Sequence, residues 1–144
     1  DGLGSFGAQR VISDEEQRAT TFASDLDSDG DLDVLSVLYT SYKDYVYTWL
    51  VWYENLDGQG NFGSKNIIEF DDSGYLIISR SVYSIDIDGD GDMDVLTGAH
   101  GGLFWYENLD GLGNFSSMKI ITIDIAIVGE VYADDIDGDG DVDV

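Results

Sequence analysis

The chain has 144 residues, of which 30 are acidic and only 6 are Lys or Arg, so its formal net charge is −24 at neutral pH. Hydrophobic residues make up 43 % of the sequence, which excludes an acidic disordered tail and allows a packed core. The charge disfavours nucleic acid and anionic membranes as partners. The sequence contains no run of 18 apolar residues, so membrane insertion is not predicted.

The chain opens in a turn motif that recurs along the sequence. Asp1-Gly2-Leu3-Gly4-Ser5-Phe6 returns as D-G-Q-G-N-F at residues 57–62 and as D-G-L-G-N-F at residues 110–115. A W-Y-E-N motif precedes the second and third copies, at residues 52–55 and 105–108. Repetition at a fixed period indicates a repeat architecture. Taking the turn as the start of a unit gives units 1–56, 57–109 and 110–144, the third of which is truncated.

Each unit contains short stretches rich in Val, Ile, Tyr, Phe, Trp and Thr between clusters of Gly, Asp and Asn, as in β-strands separated by turns. The clearest examples are residues 81–85, 94–98, 103–108 and 119–123. Four strands in about 50 residues are typical of a propeller blade, which must stack on neighbours to cover its faces. We therefore predict an all-β protein of tandem four-stranded antiparallel blade-like repeats. Fewer than three units make an incomplete ring in one chain, because propellers have about 4–8 blades.

Half of the acidic residues lie in three windows of the form D-x-D-x-D-G-D-x-D, at residues 25–33, 86–94 and 135–143. Carboxylates this dense repel one another by about 1 kcal/mol per pair at 4 Å even in water. A hard divalent cation among them removes this repulsion. A solvated acidic turn without metal and a regulatory switch are the alternatives, and the fixed glycine at position 6 favours a structural metal site.

The loop pattern assigns roles by position. Asp at positions 1, 3 and 5 can direct carboxylates at one centre, and Gly at position 6 permits the sharp turn. Position 7 is predicted to offer its backbone carbonyl, with its side chain facing solvent, and position 9 to close the shell. Helices are not expected beside the loops, and position 12 holds Ser36 or Thr97 instead of Glu, so an EF-hand is excluded. The predicted metal residues are Asp25, Asp27, Asp29, Asp31 and Asp33; Asp86, Asp88, Asp90, Asp92 and Asp94; and Asp135, Asp137, Asp139, Asp141 and Asp143.

Calcium suits this pattern better than magnesium, because Mg²⁺ demands a stricter octahedron and retains water. About three Ca²⁺ ions would reduce the net charge from −24 to about −18.

The loops, the W-Y-E-N motif and the D-G-x-G-N-F turn together resemble the FG-GAP/VCBS repeats, the calcium-loop blades of integrin-α-type β-propellers. The resemblance covers essentially the whole chain. It implies that each loop joins the first two strands of a blade and binds Ca²⁺, and it implies an extracellular location. It also implies side-chain ligands at loop positions 1, 3, 5 and 9 and leaves position 7 out of that set.

Aromatic residues outside the loops suggest further surfaces. Trp52 and Trp105 recur with the repeat and are interpreted as packing between blades, with a sugar-stacking platform as the alternative. The first unit alone has an insertion rich in aromatic residues, which is a candidate binding or assembly surface, with a locally packed hairpin as the alternative. Its aromatic residues are Tyr39, Tyr42, Tyr45, Tyr47 and Trp49.

Other polar residues are weaker candidates. Glu54 and Glu107 recur with the repeat, which favours a structural bond in each blade over an acid/base pair. His100 lies among glycines and is predicted to sit at a loop tip without a paired nucleophile. Asn114 begins an N-F-S sequon and is a candidate N-glycosylation site.

The sequence favours a non-catalytic, extracellular, calcium-stabilised scaffold for adhesion or recognition of a protein or glycan. The alternative is a subunit of an extracellular head-to-tail filament, in which neighbouring copies complete one another by strand addition. A secreted carbohydrate-active enzyme module ranks third.

Overall fold

The computed structural model describes residues 7–14, 18–43, 45–72, 81–125 and 129–144. The first copy of the turn motif, residues 1–6, lies outside these ranges. The described residues form eight strands: β1 Arg18–Ser24, β2 Asp33–Tyr42, β3 Tyr45–Tyr53, β4 Asn66–Asp71, β5 Ser81–Ile85, β6 Asp94–Ala99, β7 Gly101–Tyr106 and β8 Lys119–Ile125.

The strands form two four-stranded antiparallel sheets with neighbours in chain order, β1-β2-β3-β4 and β5-β6-β7-β8. Within the described ranges there is no helix, and the sheets do not close a ring. The predicted fold class is therefore confirmed. All four predicted stretches form strands: residues 81–85 match β5, and the other three overlap β6, β7 and β8.

The sheets are offset from the repeat units drawn on the sequence. The D-G-x-G turn at residues 57–62 lies between β3 and β4, so the last strand of each sheet follows the turn that starts the next unit. Bridges between Asn55 and Phe62 and between Asn108 and Phe115 close the two turns. The units 1–56, 57–109 and 110–144 stay a prediction about repeat register.

The largest apolar cluster lies between the two sheets, where β5 packs against β1 and β2. It combines Leu26, Leu35, Val37, Leu50 and Trp52 with Val82, Val95 and Tyr106. Trp52 is 5 % exposed, and its ring lies against Gly113 of the second turn motif. The interpretation of Trp52 as packing between blades is therefore confirmed.

Each sheet has a second face with its own cluster. Leu38, Val51 and Tyr53 pack on the far face of the first sheet. On the far face of the second sheet, Leu96 and Leu103 pack with Ala133, and Trp105 lies against this cluster. Trp105 is only partly buried against this cluster, so its role in packing between blades stays a prediction.

Candidate metal centre

Each acidic loop has its two ends held by antiparallel pairing, and the first two loops connect neighbouring strands of a sheet. Residues 25–33 connect β1 to β2 and residues 86–94 connect β5 to β6. Residues 135–143 are closed by a bridge between Asp134 and Asp143. Because the two ends of each loop are paired, the residues between them must curl tightly.

The position 1 carboxylate organises the curl. Both oxygens of Asp25 accept backbone hydrogen bonds, from Asp29 at 3.1 Å and from Gly30 at 3.0 Å. In the second loop Asp86 accepts the equivalent bonds from Asp90 at 3.1 Å and Gly91 at 2.9 Å, and a further bond from Gly89 at 2.8 Å. In the third loop Asp135 accepts from Gly140 at 3.1 Å and, at position 4, from Gly138 at 2.7 Å. The position 5 carboxylate accepts a bond from the backbone N–H of position 7 in all three loops. The loops are thus shaped by their own backbone amides.

Two positions in each loop adopt positive φ. At position 6, Gly30, Gly91 and Gly140 have φ between 94° and 101°, in agreement with the predicted turn. Position 4 is also left-handed, with φ of 78° at Gly89, 81° at Gly138 and 61° at Ser28. The sequence interpretation missed position 4, although glycine occupies it in two of three loops. Ser28 carries the steric cost that glycine avoids.

The curl brings carboxylates together. Oxygen atoms of Asp25, Asp27 and Asp29 lie within 4.8 Å of one another, as do those of Asp86, Asp88 and Asp90. In the third loop the group is Asp135, Asp137 and Asp143. Burial, followed by the charge of Asp29, raises the pKa of Asp27. Carboxylate oxygens are ligands that Ca²⁺ prefers, and three that converge would supply part of its shell of about six to eight oxygens, so these residues fit a calcium ion.

Position 9 ties the first two loops to their sheets. Asp94 is buried; it accepts hydrogen bonds from the backbone of Asn108 at 2.8 Å and Ile87 at 3.0 Å. Asp33 makes the same pair of bonds to Asn55 and Leu26, both at 2.9 Å. Each oxygen keeps a second lone pair. The ligand role of Asp33 and Asp94 stays a prediction.

Burial raises the pKa of the position 9 carboxylates Asp33 and Asp94. It raises the pKa of Asp94 to about 6, against the opposing effect of the bonds from Asn108 and Ile87 and with a further increase from the charge of Asp88. Burial likewise raises the pKa of Asp33. A cation in the loop would reverse this balance, because it stabilises the ionised carboxylates.

Position 7 lies beside the turn motif. The carboxylates of Asp31 and Asp92 rest against Gly58 and Gly111, where an added methyl group would collide with them. Burial, followed by the charge of Asp90, raises the pKa of Asp92. These side chains are half-buried, whereas the sequence reading placed them toward solvent. The roles of Asp31, Asp92, Asp139 and Asp141 as metal residues stay predictions.

The asparagine of W-Y-E-N is a further member of the site, to which the sequence interpretation assigned no role. Asn108 accepts a bond from Gly113 at 3.2 Å and donates through Nδ2 to the carbonyl of Met93 at 3.3 Å. Asn55 bonds Gly60 and Leu32 in the same way, at 3.0 and 3.2 Å. Each asparagine therefore joins its turn to its acidic loop. The recurrence of this asparagine after Trp-Tyr-Glu in both motifs was the sequence feature that could have predicted its role.

Three other sequence candidates have structural roles. Glu107 forms an ion pair with Lys119, whose ammonium lies 4.1 Å from the ring centroid of Trp105, which agrees with a bond inside the blade. His100 is exposed in the turn between β6 and β7. Asn114 is exposed, and its carbonyl accepts a bond from Leu109; its glycosylation stays a prediction.

The family follows from a sequence comparison. A model of the FG-GAP-like repeat matches residues 25–97 and again residues 86–144. The chain belongs to the FG-GAP-like repeat family. Each match starts at position 1 of an acidic loop, and the second also contains the third loop. No curated protein and no solved structure gives a significant match.

FG-GAP-like repeats are structural, non-catalytic modules, typical of extracellular proteins, and they often bind Ca²⁺. The acidic clusters of this FG-GAP-like chain have the composition for such binding. In the ranges that the structure describes, we find no helix with the length and apolar character needed to cross a bilayer.

Proposed function

We propose that the chain is a calcium-stabilised, non-catalytic, extracellular scaffold for recognition, with one Ca²⁺ in each acidic loop. The observation that supports calcium most directly is the convergence of three carboxylates within 4.8 Å in every loop. In the first two loops the position 9 aspartate ties this cluster to the adjacent strands. Binding in the loop therefore stabilises the sheet as well as the loop.

The energetic role of the cation follows from the charge of the chain. Without it, the clustered carboxylates repel one another. At a free Ca²⁺ concentration about 100 times the Kd, each site adds about 2.7 kcal/mol to the free energy of unfolding. Three sites together would match a typical domain stability of about 5–15 kcal/mol. Calcium would thus supply much of the stability of a chain that has no disulfide.

Loss of ligands tests this role. The double variant Asp90→Ala, Asp139→Ala should lose far more thermal stability in millimolar Ca²⁺ than in EGTA, because only the calcium-bound state uses these carboxylates as ligands. Asp72→Ala is the control, since Asp72 is exposed and distant in sequence from the loops. Equal losses in the two buffers would refute metal ligation by Asp90 and Asp139.

A row of aromatic rings on the first sheet is the proposed recognition surface. The centroids of Tyr47 and Trp49 are 6.4 Å apart and those of Trp49 and Phe70 are 5.3 Å apart, with interplanar angles of 29° and 26°. Phe70 is 45 % exposed. The row lies where β2 and β3 extend to ten and nine residues, against six for β6 and β7. Flat exposed rings suit the apolar face of a sugar ring or an apolar protein side chain.

Binding to glycan and protein arrays tests this surface. We expect Trp49→Ala and Phe70→Ala to weaken retention of the calcium-loaded protein by at least about tenfold, the loss of one aromatic contact. Tyr132→Ala is the control, because Tyr132 is 64 % exposed but belongs to the third unit. A bound ligand that all three variants retain equally would place recognition elsewhere.

The far face of the first sheet, which residues 9–13 partly cover, supports a second function, head-to-tail assembly. A cavity of about 340 Å³ lies between residues 9–13 and the sheet, with Val34, Leu38 and Tyr53 in its lining. The Tyr53 hydroxyl is buried without a hydrogen-bond partner among the described residues. Its repeat equivalent, Tyr106, is 1 % exposed because it packs in the cluster between the sheets.

The third loop presents a complementary feature. Leu26, at position 2 of the first loop, is 0 % exposed beneath the second sheet, whereas its equivalent Ile136 is 72 % exposed. The loop of one copy could thus enter the cavity on the first sheet of another, and the residue 9–13 segment, displaced from its own sheet, could add as a strand. Such a contact between unlike surfaces generates fibres if it does not close into a ring.

Sedimentation velocity and negative-stain microscopy distinguish the two functions. Assembly predicts concentration-dependent fibres in Ca²⁺, where repulsion between copies of charge −24 is reduced, and their loss in the variant Ile136→Lys. Ile120→Lys is the control, because Ile120 is the same residue type on β8 and is 58 % exposed. A monomer at all concentrations would eliminate assembly and leave the recognition scaffold.

A further inference from the structure

A continuous path of hydrogen bonds links the first acidic loop to the second. Besides its bonds within its own repeat, Asn108 donates through Nδ2 to the carbonyl of Leu26 at 2.9 Å, across 82 residues of sequence. Leu26 lies between Asp25 and Asp27 of the first cluster. The backbone N–H of Asn108 donates to Asp94, which in turn accepts from Ile87. Ile87 lies between Asp86 and Asp88 of the second cluster.

We propose that Asn108 couples the two calcium sites, so that Ca²⁺ in either loop raises the affinity of the other. This inference rests on the proposed calcium function and deepens it. Asn108 is a positioning residue in this account and does not itself ligate the cation. The two loops would then fill together over a narrower range of calcium concentration than independent loops.

The physical basis is that both backbone polar groups of Leu26 are fixed by hydrogen bonds. The N–H of Leu26 donates to Asp33 and its carbonyl accepts from Asn108, so both polar groups of this loop residue are held. A cation between Asp25 and Asp27 orders the same stretch of backbone. Ordering of Leu26 fixes the Asn108 side chain, and Asn108 fixes Asp94 at the end of the second loop. Ordering that is completed by the first ion need not be repeated by the second.

Burial makes this path effective. Leu26, Asn108 and Asp94 are all 0 % exposed, so water cannot substitute for a lost bond. A buried donor or acceptor without a partner is costly, and one such bond corresponds to a change of about 2- to 12-fold in an equilibrium constant. We expect coupling of about fivefold, and linkage requires the same factor in both directions.

Asn55 provides a matched control inside the chain. It makes the same backbone bond to position 9, the same bond to its turn and the same bond to its own loop. The one difference among the described bonds is that Asn108 also reaches Leu26 in the preceding unit. Asn55→Ala and Asn108→Ala therefore remove equivalent side-chain bonds within a repeat, and only Asn108→Ala also removes the hydrogen bond to Leu26 in the preceding repeat.

The experiment is a thermodynamic cycle measured by calcium titration calorimetry. The third loop is disabled in every protein by Asp135→Asn and Asp137→Asn. The affinity of the second loop is then compared with the first loop intact and with it disabled by Asp25→Asn and Asp27→Asn. The comparison is repeated in the Asn108→Ala and Asn55→Ala backgrounds. Amide hydrogen exchange of Ile87 in saturating Ca²⁺ gives a second readout that does not depend on affinity.

We expect that disabling the first loop lowers the calcium affinity of the second loop about fivefold. It should also accelerate amide hydrogen exchange at Ile87. Both effects should vanish in Asn108→Ala, persist in Asn55→Ala and survive 0.5 M KCl, since a coupling carried by charge would be screened at about that concentration. The contrary result, in the protein that retains Asn108, is a second loop that binds Ca²⁺ with the same affinity whether the first loop is intact or disabled. That result would overturn the coupling, even if Asn108→Ala fails to fold. Absence of any calcium binding refutes the proposed function instead.

Discussion

The side-chain amide of Asn108 donates a hydrogen bond to the main-chain carbonyl of Leu26 at 2.9 Å and thereby joins the second sheet to the acidic loop of the first. Trp52 crosses the same boundary in the opposite sense, with its ring against Gly113. The W-Y-E-N motif therefore supplies one polar and one apolar link across this boundary, beside the buried hydrogen bond between Ser24 and Ser84 and the apolar cluster between the sheets. Loop order and sheet stacking depend on each other for this reason.

Removal of the position 9 carboxylate should destabilise the second loop more than the third. In EGTA, Asp94→Ala leaves the buried N–H groups of Ile87 and Asn108 without an acceptor and should lower the free energy of unfolding by about 3 kcal/mol. Asp143→Ala is the matched change at an exposed position, which accepts from Ile136, and should cost about 1 kcal/mol. Urea denaturation measures both. Equal losses would contradict the structural role assigned to Asp94.

The pH dependence of stability should change sign with calcium. Burial raises the pKa of Asp94 from 3.8 to about 6, so the folded protein binds this proton more tightly than the unfolded chain. In EGTA the free energy of unfolding should therefore fall by about 2 kcal/mol as pH rises from about 4 to about 6, and Asp94→Asn should flatten this slope. In saturating Ca²⁺ the slope should reverse, because protons compete with the cation. Denaturation at several pH values tests this, and an unchanged slope in Asp94→Asn would contradict it.

Position 4 of the loops offers a stabilising change. Ser28 has φ of 61°, and Ser28→Gly should raise the free energy of unfolding by about 1 kcal/mol because glycine adopts this conformation without steric cost. Gly89→Ser, at the same position of the second loop with φ of 78°, should lower it by a similar amount. Paired thermal melts in Ca²⁺ measure both changes. A destabilised Ser28→Gly protein would show that the serine side chain makes a compensating bond.

The contact between Trp52 and Gly113 predicts a difference between two equivalent glycines. Gly60 and Gly113 have φ of 82° and 79°, so alanine costs about 1 kcal/mol at either position from backbone strain. A methyl group at Gly113 also collides with the Trp52 ring, whereas one at Gly60 meets the flexible end of Arg10. Gly113→Ala should therefore cost about 3 kcal/mol in urea denaturation, and Gly60→Ala about 1. Equal costs would show that the sheets separate easily.

Much of the fold could be predicted from the sequence because the motifs that mark each strand and turn occur more than once along the chain. The strand 81–85 is bounded by an acidic loop, and β-branched residues dominate the stretch 119–123, so local composition was sufficient. Trp52 could be assigned to packing because adjacent strand residues face opposite sides. The position 6 glycines were recognisable because glycine occupies this position in all three loops. A φ near 95° excludes most side chains there.

The remaining features depend on distances that no sequence spacing fixes. The bond from Asn108 to Leu26 spans 82 residues and exists only because the sheets stack in one register. The enclosure of Asp31 against Gly58 likewise requires the turn to fold back over the loop. Burial of Asp94, which raises its pKa, depends on how the folded chain packs around the end of the loop and was not evident from an acidic motif.

Calcium titration of the intact chain tests the central claim most directly. Calorimetry with the metal-free protein, paired with thermal melts in Ca²⁺ and in EGTA, should show about three bound ions and a melting temperature that falls sharply when calcium is removed. Absence of heat from calcium binding, together with a melting temperature that chelator leaves unchanged, would contradict the account.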